Sequence, residues 1–181
     1  SGARLIELLS HPDEYVRAWS IQFLCEDKKP SSKALNKFND MAKSEKSPVV
    51  RLYLAAALQR LPFEQRWSIL EALAAHEEDV EDHNIPRMLW LALEPMVPGN
   101  QAKALTLAVS SKMPKLQEFV PRRILGEVSA TKPKGSWQRV IKKVAPGFSV
   151  KNVGEGGVVH HAVFRNRPAV QTHPLKRGVP S

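Results

Sequence analysis

SPVVRLYLAAALQRL, residues 47–61, has apolar side chains on nearly every face of the helix that it predicts. The apolar positions that recur at helical spacing are Val50, Tyr53, Leu54, Ala57, Leu58 and Leu61. A helix that is apolar around its circumference is normally covered on several sides. Ser47 is the predicted N-cap, Pro48 is the first helical residue, and Pro62 ends the helix. The stretch therefore predicts an inner helix that lies between neighbouring helices.

A related pattern recurs along the chain. Arg17 and Arg51, each preceded by valine and followed by an apolar run, lie 34 residues apart. Arg87, preceded by Pro86, continues the series after a further 36 residues, and a weaker fourth copy begins at Pro114. Helix pairs that repeat at this interval are typical of a HEAT-like α-solenoid, in which stacked pairs share one core. In each unit we expect the valine to pack inward and the arginine to bridge to an acidic group of a neighbouring unit.

Several aromatic and apolar side chains are predicted to be buried. On the second helix these are Tyr15, Val16, Trp19, Phe23 and Leu24. Trp67 and Trp90 lie in similar apolar stripes and are also predicted to pack in the core. Val16, Val50 and Met88 are predicted to occupy equivalent inward positions in successive units. The single cysteine, Cys25, excludes an internal disulfide and is predicted to be a buried, inert thiol.

The character of the sequence changes after Gly126. Residues 1–126 carry 17 Lys and Arg against 16 Asp and Glu, whereas residues 127–181 carry 10 against 2. We predict an all-α, HEAT-like repeat domain at 1–126 and a linker at 127–136. Residues 137–181 are predicted to be a short, irregular or β-rich tail, the start of a truncated β module. Its best strand candidate is VVHHAVF at 158–164, because β-branched residues favour strands.

An acidic loop, HEEDVEDHN at 76–84, is the richest polar cluster in the chain. His76, Asp79, Asp82 and His83 could together bind a divalent cation such as calcium or zinc. Their spacing matches neither the EF-hand loop nor His-Glu-x-x-His. Acidic residues ahead of a helix are also favoured by its dipole, and Asp82 or Asn84 could cap the helix that follows. Both interpretations remain open: a structural or solvated loop, and a metal or partner site.

Three segments carry a family resemblance: VRLYLAAALQRLP, RWSILEALAAHEEDVEDHNIPRMLWLALEPMV and SSKMPKLQEFVPRRI. They resemble the HEAT-like region of large planctomycete and verrucomicrobial proteins described as membrane-bound dehydrogenase or haem-binding-domain proteins. The tail, NVGEGGVVHHAVFRNR followed by QTHPL, resembles a β module that follows the repeats in some members. The resemblance implies a parent protein with a β-propeller ahead of the repeats and often a c-type cytochrome domain after them. No haem is attached in this chain, because Cys-x-x-Cys-His is missing from it.

The sequence predicts a scaffold and no enzyme. No Ser-His-Asp or Cys-His arrangement can be assembled from it, and no catalytic residue or cofactor is predicted. We expect a HEAT-repeat scaffold that mediates protein or interdomain contacts within a larger dehydrogenase-like protein, in the periplasm or otherwise outside the cytoplasm, as the resemblance implies. No apolar run is long enough for membrane insertion by this segment. The alternative is nucleic-acid binding by a basic solenoid that resembles the HEAT-repeat DNA glycosylases. The near-neutral charge of residues 1–126 argues against that alternative.

Overall fold

The computed structural model describes residues 2–131, 148–153 and 159–164, and the side chains of residues 2–126. The body of the chain, up to Thr131, is all-helical. None of the described helices combines the length and the apolar character needed to cross a membrane. The predicted linker and most of the predicted tail lie outside the described residues.

Eight α-helices follow one another in the body. They are α1 (Gly2–Leu8), α2 (Glu14–Leu24), α3 (Ser32–Ser44), α4 (Pro48–Ala57), α5 (Phe63–Leu73), α6 (Ile85–Leu93), α7 (Gln101–Ser110) and α8 (Pro114–Thr131). Short 3₁₀ turns at Leu58–Arg60, Glu77–Asp79 and Glu94–Met96 follow α4, α5 and α6. The central helix therefore ends close to the proline that was predicted to stop it.

Side-chain oxygens cap the helices where the sequence predicts them. Asp13 accepts hydrogen bonds from the backbone of α2, Ser31 from α3, and Ser47 from the N–H of Val50 in α4. Asp82 accepts from the N–H groups of Asn84 and Ile85, and so performs the same task for α6. Each cap satisfies backbone donors that the first helical turn leaves free, which is worth about 0.5–2 kcal/mol.

The helices contact one another in two rows. In one row α2 contacts α4, α4 contacts α6, and α6 contacts α8. In the other, α1 contacts α3 and α3 contacts α5. Each helix of the first row also contacts the helix before it in the chain, which makes four successive helix pairs: α1–α2, α3–α4, α5–α6 and α7–α8.

The central helix α4 is the inner helix that the sequence predicts, with α2 on one side and α6 on the other. Val50, Leu54 and Leu58 are at most 1% exposed, and they belong to a single apolar cluster that extends from Leu9 to Ile124. Burying one such side chain contributes about 1.5–3 kcal/mol. Cys25 is buried, as predicted.

Three of the aromatic side chains predicted to be buried on α2 are exposed. Tyr15 is 60%, Trp19 52% and Phe23 48% exposed. Smaller residues take the inward positions of this helix, namely Ala18, Ser20 and Ile21. Val16, Leu24 and Trp90 are half-buried, and Trp67 is buried. The prediction failed because an apolar stripe shows which residues share a face of a helix, but does not show whether a neighbour covers that face.

The predicted register of the third unit is also wrong by one position. The residue three places after each cap is Val16 in α2, Val50 in α4 and Ile85 in α6, and Ile85 is fully buried. Pro86 therefore stands in α6 where Arg51 stands in α4. Arg87 is exposed and Met88 is half-buried. The loop before α6 is one residue longer than the loop before α4, and this shift cannot be recognised from the Pro-Arg pair alone.

Two further elements bear on the C-terminal part of the chain. Pro121 does not interrupt α8, which continues through it from Pro114 to Thr131. Two strands, β1 (Phe148–Val153) and β2 (Val159–Phe164), pair antiparallel, with Phe148 opposite Phe164 and Lys151 opposite His161. The strand β2 lies within the segment predicted as a strand. The GEGG turn at 154–157 lies outside the described residues.

Candidate functional site

A buried arginine joins the second helix pair to the third. Arg51 in α4 donates from Nε and Nη2 to the two carboxylate oxygens of Asp79, each at 2.6 Å. Its Nη1 donates to the backbone oxygens of Glu45 and Lys46, at 2.8 and 2.9 Å. Both partners of the ion pair are 2% exposed. We call this arrangement, an arginine bonded to a carboxylate of the next pair and to two carbonyls of the turn before its own helix, an arginine clamp.

The same clamp joins the first pair to the second. Arg17 in α2 donates to both carboxylate oxygens of Glu45, at 3.1 and 2.9 Å. Its Nη1 donates to the backbone oxygens of His11 and Pro12, both at 2.9 Å. Each arginine therefore reaches back five and six residues and forward 28 residues. The expected bridge from each arginine to an acidic group of the neighbouring unit is confirmed for these two.

Glu45 links the two clamps. Its carboxylate binds Arg17, while its backbone oxygen accepts from Arg51. Burial raises the pKa of Glu45, but hydrogen bonds from Arg17 and from the backbone of Ser47 outweigh that effect and lower the pKa overall. Hydrogen bonding to Asp79 raises the pKa of Arg51, although burial opposes this shift. Both groups therefore stay charged in the folded protein.

The four residues considered as a cation site have different surroundings. Asp79 is engaged by Arg51, and Asp82 caps α6. His76 contacts the backbone oxygen of Ala42 in α3 through Nε2, at 2.8 Å, and Glu78 through Nδ1, at 2.9 Å. His83 is exposed. Among the residues with described side chains, no group of three or more His, Cys, Asp or Glu is placed to hold a metal ion.

Glu78, next to Asp79, is exposed and belongs to the surface of the same cluster. Its hydrogen bond with His76 lowers the pKa of its carboxyl, and Arg51, whose Nη1 lies 3.5 Å away, adds to that effect. The first half of the acidic loop, which the sequence offered as either a structural loop or a metal site, thus holds α3, α4 and α5 together.

A second buried arginine, Arg66 in α5, was not singled out by the sequence. It donates to the backbone oxygens of Leu61 and Ala92, at 2.9 and 3.0 Å, and to that of Gln59 at 3.3 Å. Its guanidinium lies 4.8 Å from the ring centre of Phe63. Burial lowers the pKa of Arg66. Its role is to bond carbonyls near the ends of α4 and α6, which carry partial negative charge.

The exposed aromatic side chains of α2 form a continuous surface with α4. The ring centres of Trp19 and Phe23 are 5.7 Å apart in a stacked arrangement, and those of Trp19 and Tyr53 are 6.1 Å apart, edge to face. Tyr15 lies one helical turn before Trp19. We call Tyr15, Trp19, Phe23 and Tyr53 the aromatic row. Their spacing on α2 was visible in the sequence, but it was interpreted as core.

The described side chains favour binding over chemistry. The clamps and Arg66 are engaged in bonds that hold the helices together. Burial raises the pKa of Cys25 to about 11, so that its thiol remains protonated at neutral pH and is a poor nucleophile. Exposed, rigidly held aromatic rings are the side chains that contribute most to protein contacts. The aromatic row is therefore the candidate functional site.

Neither protein-family models, nor curated proteins, nor solved structures give a match to this chain.

Proposed function

We propose that this chain is a HEAT-like α-solenoid that acts as a non-catalytic scaffold and mediates protein or interdomain contacts. Its place is within a larger dehydrogenase-like, cytochrome-containing protein outside the cytoplasm, in line with the family that its sequence resembles. The observation that carries the proposal is the aromatic row, in which Tyr15, Trp19 and Phe23 are each about half exposed or more although they are large and apolar.

The repeated clamp supports the solenoid part of the proposal. Arg17 and Arg51 lie 34 residues apart, and so do their carboxylate partners Glu45 and Asp79. A chain of independent, unrelated helices has no reason to reproduce the same six-bond geometry at a fixed interval. Stacked, equivalent helix pairs would reproduce it, because each junction between pairs poses the same packing problem.

The surface chemistry of the row supports the contact part. Isolated exposed apolar residues are ordinary, whereas a cluster of neighbouring aromatic rings is typical of an interaction surface. The row includes one tryptophan and two tyrosines, residue types that are enriched among the residues that dominate binding energy. Ring–ring contacts hold these side chains in place, so that little side-chain entropy remains to be lost on binding.

Hydroxyl-radical footprinting tests the proposal on the isolated chain and on the longer natural polypeptide that contains it. Oxidation of Tyr15, Trp19 and Phe23 should be several-fold lower in the longer polypeptide, because a neighbouring domain or bound partner covers them. Phe63, which is 44% exposed on α5 and lies outside the row, is the matched control and should be oxidised equally in both. Equal oxidation of the row in both samples would contradict the proposal.

The basic excess of residues 127–181 favours a second candidate, nucleic-acid binding. The two candidates differ in which residues would carry the affinity. Fluorescence anisotropy with a duplex DNA should show weak binding at physiological salt, and the variant Arg60→Gln, Arg87→Gln in the helical body should not change it. Tight, salt-sensitive binding that this double variant weakens would reverse the order of the two candidates.

A further inference from the structure

Three junctions join the four helix pairs, and the third differs from the other two. Arginine clamps close the first and second junctions. At the third, Pro86 stands where Arg51 stands in α4, and Met113 stands 34 residues after Asp79, just before α8. Pro86 is buried and Met113 is fully buried. The position of the ion pair is therefore occupied by two apolar side chains.

The buried hydrogen bonds described at the third junction converge on one atom. The Ser111 hydroxyl donates to the backbone oxygen of Ala74 at 3.2 Å, and the Lys112 N–H donates to the same oxygen at 2.8 Å. Nearer the surface, Trp90 and Phe119 meet edge to face, with ring centres 5.4 Å apart. Arg123 and Glu94 form a partly exposed ion pair at 3.6 Å.

These two kinds of junction resist motion differently. A bidentate arginine–carboxylate pair fixes both the distance and the relative orientation of the groups that it joins. Apolar contacts have no preferred direction, and packed helices slide over one another by small shear movements without losing them. Two hydrogen bonds that end on one oxygen constrain a point and leave rotation about it free.

We propose that the third junction is a built-in hinge, at which α7–α8 moves about the backbone oxygen of Ala74 while the first three helix pairs move as one rigid unit. Arg66 strengthens that unit, because it bonds both the end of the second pair and Ala92 in the third. The inference concerns how the chain moves, and it stands whether or not the proposed scaffold function holds.

Distance distributions between paired spin labels test the hinge in the full chain with Cys25→Ala. The label pair Glu7→Cys, Ser68→Cys spans the first and second junctions, and Asn36→Cys, Thr106→Cys spans the second and third. All four labelled residues are exposed. Each pair bridges two helix pairs and two junctions, so that the junctions crossed are the main difference. We expect the second distribution to be about twice as wide as the first.

Replacing the second clamp provides an independent arm. Arg51→Met, Asp79→Leu removes the clamp without leaving a buried charge, and it should widen the first distribution to about the width of the second. Arg87→Met, an exposed change one residue from the apolar junction, is the control and should leave both widths unchanged. Equal widths in the parent chain, or an unchanged width after the clamp is removed, would overturn the hinge. If the clamp variant does not fold, the comparison of the two label pairs alone decides.

Discussion

Arg51 and Asp79 are 28 residues apart in the chain and meet with two nitrogen–oxygen distances of 2.6 Å at the junction between the second and third helix pairs. Removing two charges from water costs several kcal/mol, which is recovered only when the geometry is good and the remaining polar atoms are bonded. Arg51 meets that condition through its bonds to Glu45 and Lys46. The pair therefore fixes how one helix pair stacks on the next.

The exposed position of Trp19 predicts a sharp difference between two tryptophans. Trp19→Ala should change the free energy of unfolding by less than about 1 kcal/mol, because the ring is half exposed. Trp67→Ala should cost about 3–5 kcal/mol, because that ring is 8% exposed and belongs to the core. Urea unfolding followed by circular dichroism measures both. A loss of similar size for the two variants would show that Trp19 is covered in the free chain.

Arg66 is predicted to be a structural residue despite its charge. Arg66→Met should cost about 2–5 kcal/mol, because it leaves the buried carbonyls of Leu61 and Ala92 without a donor. Arg66→Lys should recover only part of this, since one ammonium cannot reproduce the planar fork. Arg87→Met, at an exposed site, is the control and should lie within about 0.5 kcal/mol of the parent chain. An Arg66→Met variant as stable as that control would contradict the assignment.

The lowered pKa of Glu45 predicts acid sensitivity. A carboxyl whose pKa is lower in the folded state stabilises the protein above its unfolded-state pKa, and this contribution is lost as the pH falls through the folded-state pKa. The contribution of Glu45 should therefore be complete above its ordinary value of 4.5 and decline below it. Chemical unfolding at a series of acidic pH values measures this slope.

Two variants separate Glu45 from the other carboxylates in that experiment. Glu45→Gln should be less stable at neutral pH and should lose less stability on acidification than the parent chain. Arg17→Met removes the main hydrogen-bond donor to Glu45, and it should shift the acid transition in the same direction. Identical slopes in all three proteins would show that the first clamp does not hold Glu45 ionised.

Local signals were sufficient to predict the helices and the first two clamps. Cap residues such as Asp13 and Ser47 act over three or four positions, so that a single sequence displays them completely. The Val-Arg pairs led to the correct expectation of bridges from Arg17 and Arg51, because both stand at the same distance from a cap. The same reasoning failed at Arg87, since one additional residue in the preceding loop places Pro86 in the arginine's position.

Which helix faces are covered was the part that the sequence could not supply. Tyr15, Trp19 and Phe23 have the spacing and character of core residues, yet burial depends on the neighbouring helix and not on the residues themselves. Arg66 shows the opposite case: a charged residue in a predicted helix is ordinarily exposed, whereas here the ends of α4 and α6 supply carbonyls that accept its hydrogen bonds. Both errors concern tertiary contacts that no local pattern encodes.

Double-mutant cycles on the two clamps test most directly whether the same contact, repeated at each of the first two junctions, holds the stack of helix pairs together. Arg51 with Asp79, and Arg17 with Glu45, would be replaced by methionine and leucine singly and together, and the free energy of unfolding of each variant would be measured in urea. The account predicts coupling free energies of about 1–3 kcal/mol at both junctions, the larger at the more deeply buried Arg51–Asp79 pair. Coupling within about 0.3 kcal/mol of zero at either junction would contradict it.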